Sequence, residues 1–284
     1  MDAPGINGSP ERFMMLLTHD QIGIVIPIYK SSPSREEEIS MHRAFEILNH
    51  YRFYFVAPQK LDLINYEKFL THSPAIIRFS DNYFNNGLEG YNQLMLSKEF
   101  YTEFSSCKYI LIYQPDAYVF RDDLMEWCMT GYDYIGAPWM EDKNGRTQLN
   151  GVGNGGFSLR KIESFLHIFD VCDIKTICET SGIRQRIHKF LNETIRWRIR
   201  LLRLTGSGKA VFYRPLTFNE DGFWGLSAPA ITTGFKTAPQ EIALKFSFDT
   251  NPDVLYRINR HQLPFGCHAW ASINPAFWKK HINS

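Results

Sequence analysis

No apolar run in this sequence approaches the length of a membrane span. The longest, Ile22 to Tyr29, is about eight residues, against the ~18–20 needed to cross a bilayer. There is no excess of charge of one sign either: 31 Lys and Arg against 30 Asp and Glu leave a formal net charge of +1. A surface so balanced is no nucleic-acid footprint, so nucleic acid is not an expected partner. Cysteine is sparse and forms no framework. Cys107, Cys128, Cys172, Cys178 and Cys267 include no CxxC pair, and their odd number leaves at least one thiol free. They read as reduced structural residues of a cytoplasmic protein. The N-terminus lacks the basic, apolar and cleavage-site order of a signal peptide. A P-loop is missing as well: Gly206-Ser-Gly-Lys209 has Arg203 where the first glycine of that motif belongs.

The 284 residues are 44% hydrophobic, 15% aromatic and 21% charged, the composition of a globular chain with a sizeable core. Ile22-Gly-Ile-Val-Ile-Pro-Ile-Tyr29 is rich in β-branched residues without alternation, which predicts a strand covered on both faces. Ser34 follows as a candidate N-cap, with acids in the next turn and Ile39, Phe45 and Leu48 at helical spacing, so a helix is expected up to Leu48. Further strands are expected at Phe53 to Ala57, Ala75 to Phe79, Tyr109 to Tyr113 and Phe157 to Arg160, with helical character around Leu88 to Phe104. The order predicts an α/β fold with a parallel sheet and right-handed crossovers, followed by a less regular second half.

Three stretches carry candidate chemistry. Asp116, in Gln114-Pro-Asp-Ala-Tyr-Val-Phe120, comes just past the Tyr109 to Tyr113 strand, where open α/β sheets bind ligands; it could equally be a turn former. Asn219-Glu-Asp-Gly-Phe-Trp224 sets two carboxylates side by side, either a helix N-terminus or a reactive pair. Pro264-Phe-Gly-Cys-His-Ala-Trp270 places His268 in a loop rich in glycine and aromatics. Together an acid after a strand, an acidic pair and a late histidine would suffice for a hard divalent cation and a general base. Gly153-Asn-Gly-Gly156 is either a tight turn or a loop that lets backbone approach a ligand, with Asn154 offering both a donor and an acceptor.

These residues carry a resemblance. Val-Ile-Pro-Ile-Tyr (25–29), Gly-Tyr-Asn-Gln-Leu-Met-Leu-Ser (90–97), Phe-Tyr (100–101) and Tyr-Ile-Leu-Ile-Tyr-Gln-Pro-Asp-Ala (109–117) come first. Tyr-Asp-Tyr-Ile-Gly-Ala-Pro-Trp (132–139), Gly-Asn-Gly-Gly-Phe-Ser-Leu-Arg (153–160), Asn-Glu-Asp-Gly-Phe-Trp (219–224) and Gly-Cys-His-Ala-Trp (266–270) follow. In this order they resemble a domain-of-unknown-function family grouped with glycosyltransferases and, more distantly, the inverting glycosyltransferases of the GT-A fold. The resemblance implies a GT-A-like domain over 22–272, with 22–120 as the donor-nucleotide half and 121–272 as the acceptor half. Residues 1–21 would be an N-terminal extension and 273–284 a C-terminal tail.

It also implies the roles of particular residues. Asp116 would be the last acid of a DxD motif holding a divalent metal, with Gln114 replacing the first acid. His268 would be the second protein ligand, with diphosphate oxygens and water completing a shell that suits Mn²⁺ better than Mg²⁺. Asp221 would be the catalytic base and Glu220 would orient the acceptor or the local backbone, or the two could exchange roles. Donor contacts are expected from Pro27, Ile28, Tyr29, Asn92, Gln114 and Ala117. Asn154, Gly155, Gly156 and one or two of Trp139, Trp224 and Trp270 are expected at the substrate.

The implied activity is transfer of a sugar, most readily from UDP, to a hydroxyl of a glycan or lipid-linked glycan in cell-surface polysaccharide synthesis. A basic stretch at 183–203 has seven Lys or Arg, one acid and an apolar stripe. It reads either as a packed helix with a solvated face or as a helix lying on an anionic membrane surface, which would make the protein peripheral on the inner face. A glycan-binding module without turnover and a membrane-peripheral scaffold are the competing readings.

Overall fold

The structure, a computed structural model, describes residues 17–143, 146–177, 209–215 and 218–282. Most of the 1–21 extension and the whole basic stretch 183–203 therefore lie outside the described residues. Among the described residues there are thirteen strands: β1 Ile22–Pro27, β2 Arg52–Pro58, β3 Ala75–Phe79, β4 Tyr109–Tyr113, β5 Tyr118–Val119, β6 Tyr134–Ile135, β7 Pro138–Lys143, β8 Arg146–Val152, β9 Phe157–Lys161, β10 Cys172–Ile177, β11 Ala210–Pro215, β12 Ser247–Phe248 and β13 Gly266–Cys267.

Six of them form the central sheet in the order β3-β2-β1-β4-β9-β6. Pairing is parallel from β3 through β4, and β9 is antiparallel to both β4 and β6. The fold is thus α/β with a parallel-rich sheet, as expected. The chain runs outward from β1 to β3 and then crosses back to place β4 on the other side of β1, so the strand order reverses between β1 and β4. A reversal of this kind opens a crevice at the carboxyl ends of the strands.

Each face of the sheet is covered, which is why the strands read as unbroken apolar runs. Ile24 and Ile26 of β1 and Leu111 and Tyr113 of β4 pack with Met41, Ala44 and Phe45 of the helix Arg35–Ile47. The intervening Val25, Ile110 and Ile112 face the opposite layer, with Leu94, Met95, Phe100, Tyr101 and Phe165 from three further helices. Ser34 does cap the first helix: its hydroxyl accepts from the Glu37 N–H at 3.2 Å, and its own N–H donates to Glu37 at 2.7 Å, a reciprocal capping box.

The second half adds small sheets. β7 and β8 form a hairpin, and β12, β13 and β5 form a three-stranded sheet in that order. Residues 275–282, expected as a tail, pack Trp278 and Ile282 into a third apolar cluster with Phe248 and Cys267. Cys107, Cys128, Cys172 and Cys267 are buried free thiols, whereas Cys178 lies outside the described residues. Among the described residues no helix is long and apolar enough to cross a membrane.

Candidate active site

The small three-stranded sheet brings two acids to one histidine. β12 and β13 run parallel with Phe248 opposite Cys267, so the next residue of each strand, Asp249 and His268, emerges side by side. β5 runs antiparallel to β13 with Tyr118 opposite Cys267, which carries Asp116, just before β5, to the other side of the same imidazole. His268 Nδ1 lies 3.3 Å from Asp249 Oδ1, and Nε2 lies 2.9 Å from Gln114 Oε1 and 3.4 Å from Asp116 Oδ1. Ala269 holds a left-handed φ of 52° immediately afterwards, a conformation that costs a non-glycine residue ~1–2 kcal/mol and turns the chain away beyond the imidazole.

Burial disfavours an imidazolium at this position, but the hydrogen bonds and charges of Asp116 and Asp249 outweigh it and lift the His268 pKa to about 10. Asp116 shows the counterpart. Burial pushes its carboxyl up, and the His268 hydrogen bond and charge bring it below the ordinary value.

The second component is a helical segment formed by Glu220–Gly222, a π-helical turn at Phe223–Ser227 and Ala228–Ile231. Its entry is clamped by one side chain: Asn92 Oδ1 accepts from the Glu220 N–H at 2.9 Å, and Asn92 Nδ2 donates to Asn219 Oδ1 at 3.3 Å. Glu220 Oε1 takes a hydrogen bond from Arg160 Nη2 at 2.9 Å, in a pair whose side chains are 1% and 0% exposed. Arg160 is fixed in turn by the Ser158 hydroxyl at 3.1 Å and the Tyr101 hydroxyl at 2.7 Å. Burial works against both charges, while each favours its partner; the guanidinium stays protonated. Asp221 has no such cation in contact. Burial first, and then the neighbouring Glu220 charge, raise its pKa from 3.8 to about 7, the range suited to taking up a proton at neutral pH.

The antiparallel pairing of β9 with β4 supplies the floor between these components. Tyr113 is opposite Phe157, so the glycine loop ahead of β9 meets the residues following β4, and the Gln114 N–H donates to Gly156 O at 2.8 Å. Asn154, 1% exposed, accepts from the N–H groups of Gly156 and Phe157 through Oδ1 at 3.0 and 3.1 Å. The loop's small residues make room for protein rather than for ligand alone. A Cβ on Gly156 would lie 2.1 Å from the His268 ring, one on Gly155 2.8 Å from Glu220 Oε1, and one on Gly153 2.1 Å from Trp139.

Both components line one cavity of ≈ 180 Å³, which holds Gln114, Asn154, Glu220, Asp221, Asp249 and His268 among its walls. Asn92, Gly155 and Gly156 of the expected set line it too, whereas Asp116 is not one of its walls and lies 3.4 Å from the His268 ring that is.

Several expected contacts fall elsewhere. Trp224 is fully buried against Phe165, Tyr101 and Phe235, and its indole N–H donates to Met95 O at 3.2 Å, so both ring faces belong to the core. Trp270 is buried with its N–H on Ser40 Oγ at 2.7 Å, away from the cavity. Trp139, partly exposed, lies against Gly151 and Gly153 and is not a wall of the cavity. Ile28 and Ala117 are core side chains, and Pro27 is buried in β1. Tyr29 is half-exposed at the carboxyl end of β1, with its hydroxyl on Glu37 at 3.3 Å. Both ends of the Asn92 amide are occupied by the clamp.

Sequence reasoning missed Arg160, Tyr91 and Asp249. Tyr91 donates its hydroxyl to Gly155 O at 2.6 Å, tying the glycine loop to a helix. Asp249 carries the same signal as Asp116, an acid straight after a strand, but its strand is only two residues long.

The donor set can be tested against a divalent cation. Among the described residues no group of three His, Cys, Asp or Glu is arranged to hold a metal. Asp116 and His268 are therefore a two-residue set, with the Gln114 oxygen beside them. The 2.9 and 3.4 Å separations around Nε2 lie at and above the ~2.9 Å between neighbouring ligands of an octahedral ion with ~2.05 Å bonds. Asp249 on Nδ1 is the outer carboxylate that metal-binding histidines commonly have. The residues fit a weakly held cation that exchanges for the Nε2 proton.

The fold and cavity define an α/β domain with a histidine–carboxylate cluster and an acidic turn beside one polar cavity beyond the carboxyl end of β4. The chain belongs to the family described as Protein of unknown function (DUF5672), whose profile matches residues 73–268. Similar solved structures include the galactosyltransferase LgtC in complex with donor and acceptor sugar analogs, at 11% identity over 87% of this chain and 86% of that one, TM-score 0.49. Another is a glycosyltransferase involved in the glycosylation of the major capsid of PBCV-1, at 12% identity over 92% of this chain and 98% of that one, TM-score 0.43. A third is the mannosyltransferase Ktr4p from S. cerevisiae, at 13% identity over 44% of this chain, TM-score 0.33. The chain spans 40% of Ktr4p and 29% of S. aureus TarS, another structure it matches. No curated protein matches the sequence.

Proposed function

We propose that the protein is a metal-dependent inverting glycosyltransferase using a nucleotide diphosphate sugar, with UDP as the nucleotide and a glycan hydroxyl as the acceptor. The observation that carries this reading is a cavity walled both by a carboxylate poised near pH 7 and by the imidazole of His268, which has Asp116 3.4 Å away. Asp221 takes the proton of the acceptor hydroxyl as its oxygen forms the new bond to the anomeric carbon. The anomeric carbon–oxygen bond to the diphosphate breaks with its electron pair leaving on that oxygen, so configuration inverts. Asp116 and His268 would hold the divalent ion, Mn²⁺ in preference to Mg²⁺, and that ion would neutralise the charge growing on the leaving diphosphate. Asp249 orients the imidazole from behind, and Gln114 lies beside Nε2 in place of a second acid. Asn92 and Arg160 hold the acidic turn so that Asp221 meets the cavity.

The test is nucleotide release from UDP-, GDP- and dTDP-sugars with Mn²⁺, Mg²⁺ or chelator, using wild type, Asp116→Ala and Asp221→Asn. The expected result is Mn²⁺-dependent release from a UDP-sugar, abolished in Asp116→Ala, with Asp221→Asn still stabilised by UDP and Mn²⁺. No release from any donor, and no nucleotide shifting the melting temperature, would overturn the reading in favour of a binding module or scaffold.

A further inference from the structure

A second cavity has no part in the site described above. Its volume is ≈ 340 Å³, within the roughly 300–1,000 Å³ of small-molecule sites, and it shares no wall with the cavity beside Asp221. It lies between the start of the helix Arg35–Ile47 and the C-terminal residues 275–282. Its walls are of two kinds. Ile39, Trp270, Pro275 and Ile282 supply apolar surface, and Arg35 and Lys279 supply two exposed cations. These come from opposite ends of the sequence, and neither is held in a salt bridge among the described residues. Glu36 is the one acid in the wall, and hydrogen bonds from the backbone at the helix start and from Ser34 already hold its carboxyl below the ordinary pKa.

Fixed side chains hold this cavity in shape. Trp270 donates its indole N–H to Ser40 at 2.7 Å, which ties the chain after His268 to the helix. Asn274 accepts from the Phe277 N–H at 3.3 Å and donates to Asp253 at 3.1 Å, so the wall from Pro275 to Lys279 is anchored where it begins. Trp278 and Ile282, packed with Phe248, anchor its far side. A cavity formed in advance costs little ordering when it is filled.

The two kinds of wall together select one kind of molecule. The apolar surface asks for a hydrocarbon body, and the two cations ask for an anionic end. Cations converging from separate elements suit a group with more than one charge, and a phosphate monoester carries about −1.5 to −2 at neutral pH with several acceptor oxygens. We propose that this cavity binds an alkyl phosphate monoester, its phosphate between Arg35 and Lys279 and its hydrocarbon on Ile39, Trp270 and Pro275. The proposal stands apart from the glycosyl-transfer reading, since none of these residues lines the cavity at Asp221 and His268.

The test takes the ligand apart before the protein. Hexyl phosphate is the probe, with 1-hexanol and inorganic phosphate as its two halves, each titrated into the wild-type chain by isothermal calorimetry. Hexyl phosphate is expected to bind at least ~10-fold tighter than either half, because burying two methylenes is alone worth about that factor. UDP with Mn²⁺ is expected not to displace it. The double variant Arg35→Gln/Lys279→Gln, changed only at exposed positions, is expected to weaken hexyl phosphate by at least ~10-fold and to leave 1-hexanol unchanged. Phosphatidylcholine vesicles carrying phosphatidate, set against phosphatidylcholine alone, then separate the sources: competition assigns the phosphate to a lipid headgroup, its absence to a soluble ester, and both results retain the site.

Four results overturn the inference and leave glycosyl transfer untouched. Inorganic phosphate bound as tightly as the ester reduces the site to an adventitious ion only. Hexanol bound as tightly makes the two cations incidental. Displacement by UDP moves the binding to the other cavity, and no binding of hexyl phosphate removes the site.

Discussion

The Arg160–Glu220 pair should behave as one unit, and a double-mutant cycle measures whether it does. Both side chains are essentially without solvent contact, 0% and 1% exposed, at 2.9 Å. Replacing Arg160 with Met leaves a buried carboxylate without its counter-ion, a loss of ~3–5 kcal/mol for pairs of this kind. At about 2–4 °C per kcal/mol for a large domain, the melting temperature should fall by roughly 6–20 °C. Glu220→Gln strands the guanidinium and should cost a similar amount. The double variant Arg160→Met/Glu220→Gln removes both charges, so it should be more stable than the sum of the single losses by about 2 kcal/mol or more.

Urea unfolding followed by far-ultraviolet circular dichroism gives the three differences. The size of the deficit also depends on pH. Burial already holds the folded-state pKa of Glu220 above its ordinary value, with the Arg160 guanidinium pulling the other way; in Arg160→Met that pull is gone and the pKa rises further, so the variant's stability is intact below about pH 4 and is lost as pH increases. The deficit of that variant against wild type should therefore shrink toward pH 4. Strict additivity across the cycle, or a deficit that does not vary with pH, refutes the pairing as the organiser of the acidic turn.

Asp221 should cost the fold stability at alkaline pH. Its folded pKa of about 7 exceeds the 3.8 of the free carboxyl, so its favourable contribution is complete below pH ~4 and disappears as pH rises through 7. Asp221→Asn should accordingly be more stable than wild type at pH 8, by up to ~4 kcal/mol, and indistinguishable near pH 4; equal melting temperatures at pH 8 contradict the assigned burial. Gly156→Ala should displace the His268 ring, which a Cβ would approach at 2.1 Å, and lower metal-dependent nucleotide release at least ~10-fold. A small misplacement at a reacting centre has that order of effect; unaltered release shows that the imbalance is absorbed elsewhere. Trp224→Ala should destabilise by ~3–5 kcal/mol as a core cavity without a selective rise in acceptor KM, whereas a selective KM change in a stable variant returns Trp224 to the substrate.

What the sequence disclosed depended on how each segment is buried. β1 and β4 are covered on both faces and announce themselves as apolar runs, and β4 was placed residue for residue, Tyr109–Tyr113. Asp116, His268 and the 220–221 pair were visible as polar residues interrupting apolar surroundings. Asp249 was not, because β12 is two residues long and its role comes from register against β13. Arg160 was hidden by its position inside a strand, where its significance depends on Glu220 sixty residues later. The tryptophans misled for the opposite reason: proximity in sequence to reactive residues says nothing about which way an indole faces, and Trp224 faces the core. The glycine loop was recognised as a place of close approach, but its neighbours, the His268 ring and the Glu220 carboxylate, are set by tertiary packing.

The wide turn at Phe223–Ser227 bears on how this family can tolerate changes in chain length. A π-helical turn accommodates one residue more than an α-helical turn, and each residue of a helix advances about 100° around its axis. Deleting a single residue there would rewind the segment as α-helix and swing everything ahead of it by roughly that angle, carrying the acidic pair off the cavity while Ala228–Ile231 stayed seated in the core. Insertions between β7 and β8 face no such penalty, because neither strand belongs to the central sheet. Length variation among relatives should therefore gather in the hairpin and be absent from the helical segment, a pattern of gaps that separates scaffold from ornament without reference to residue identity.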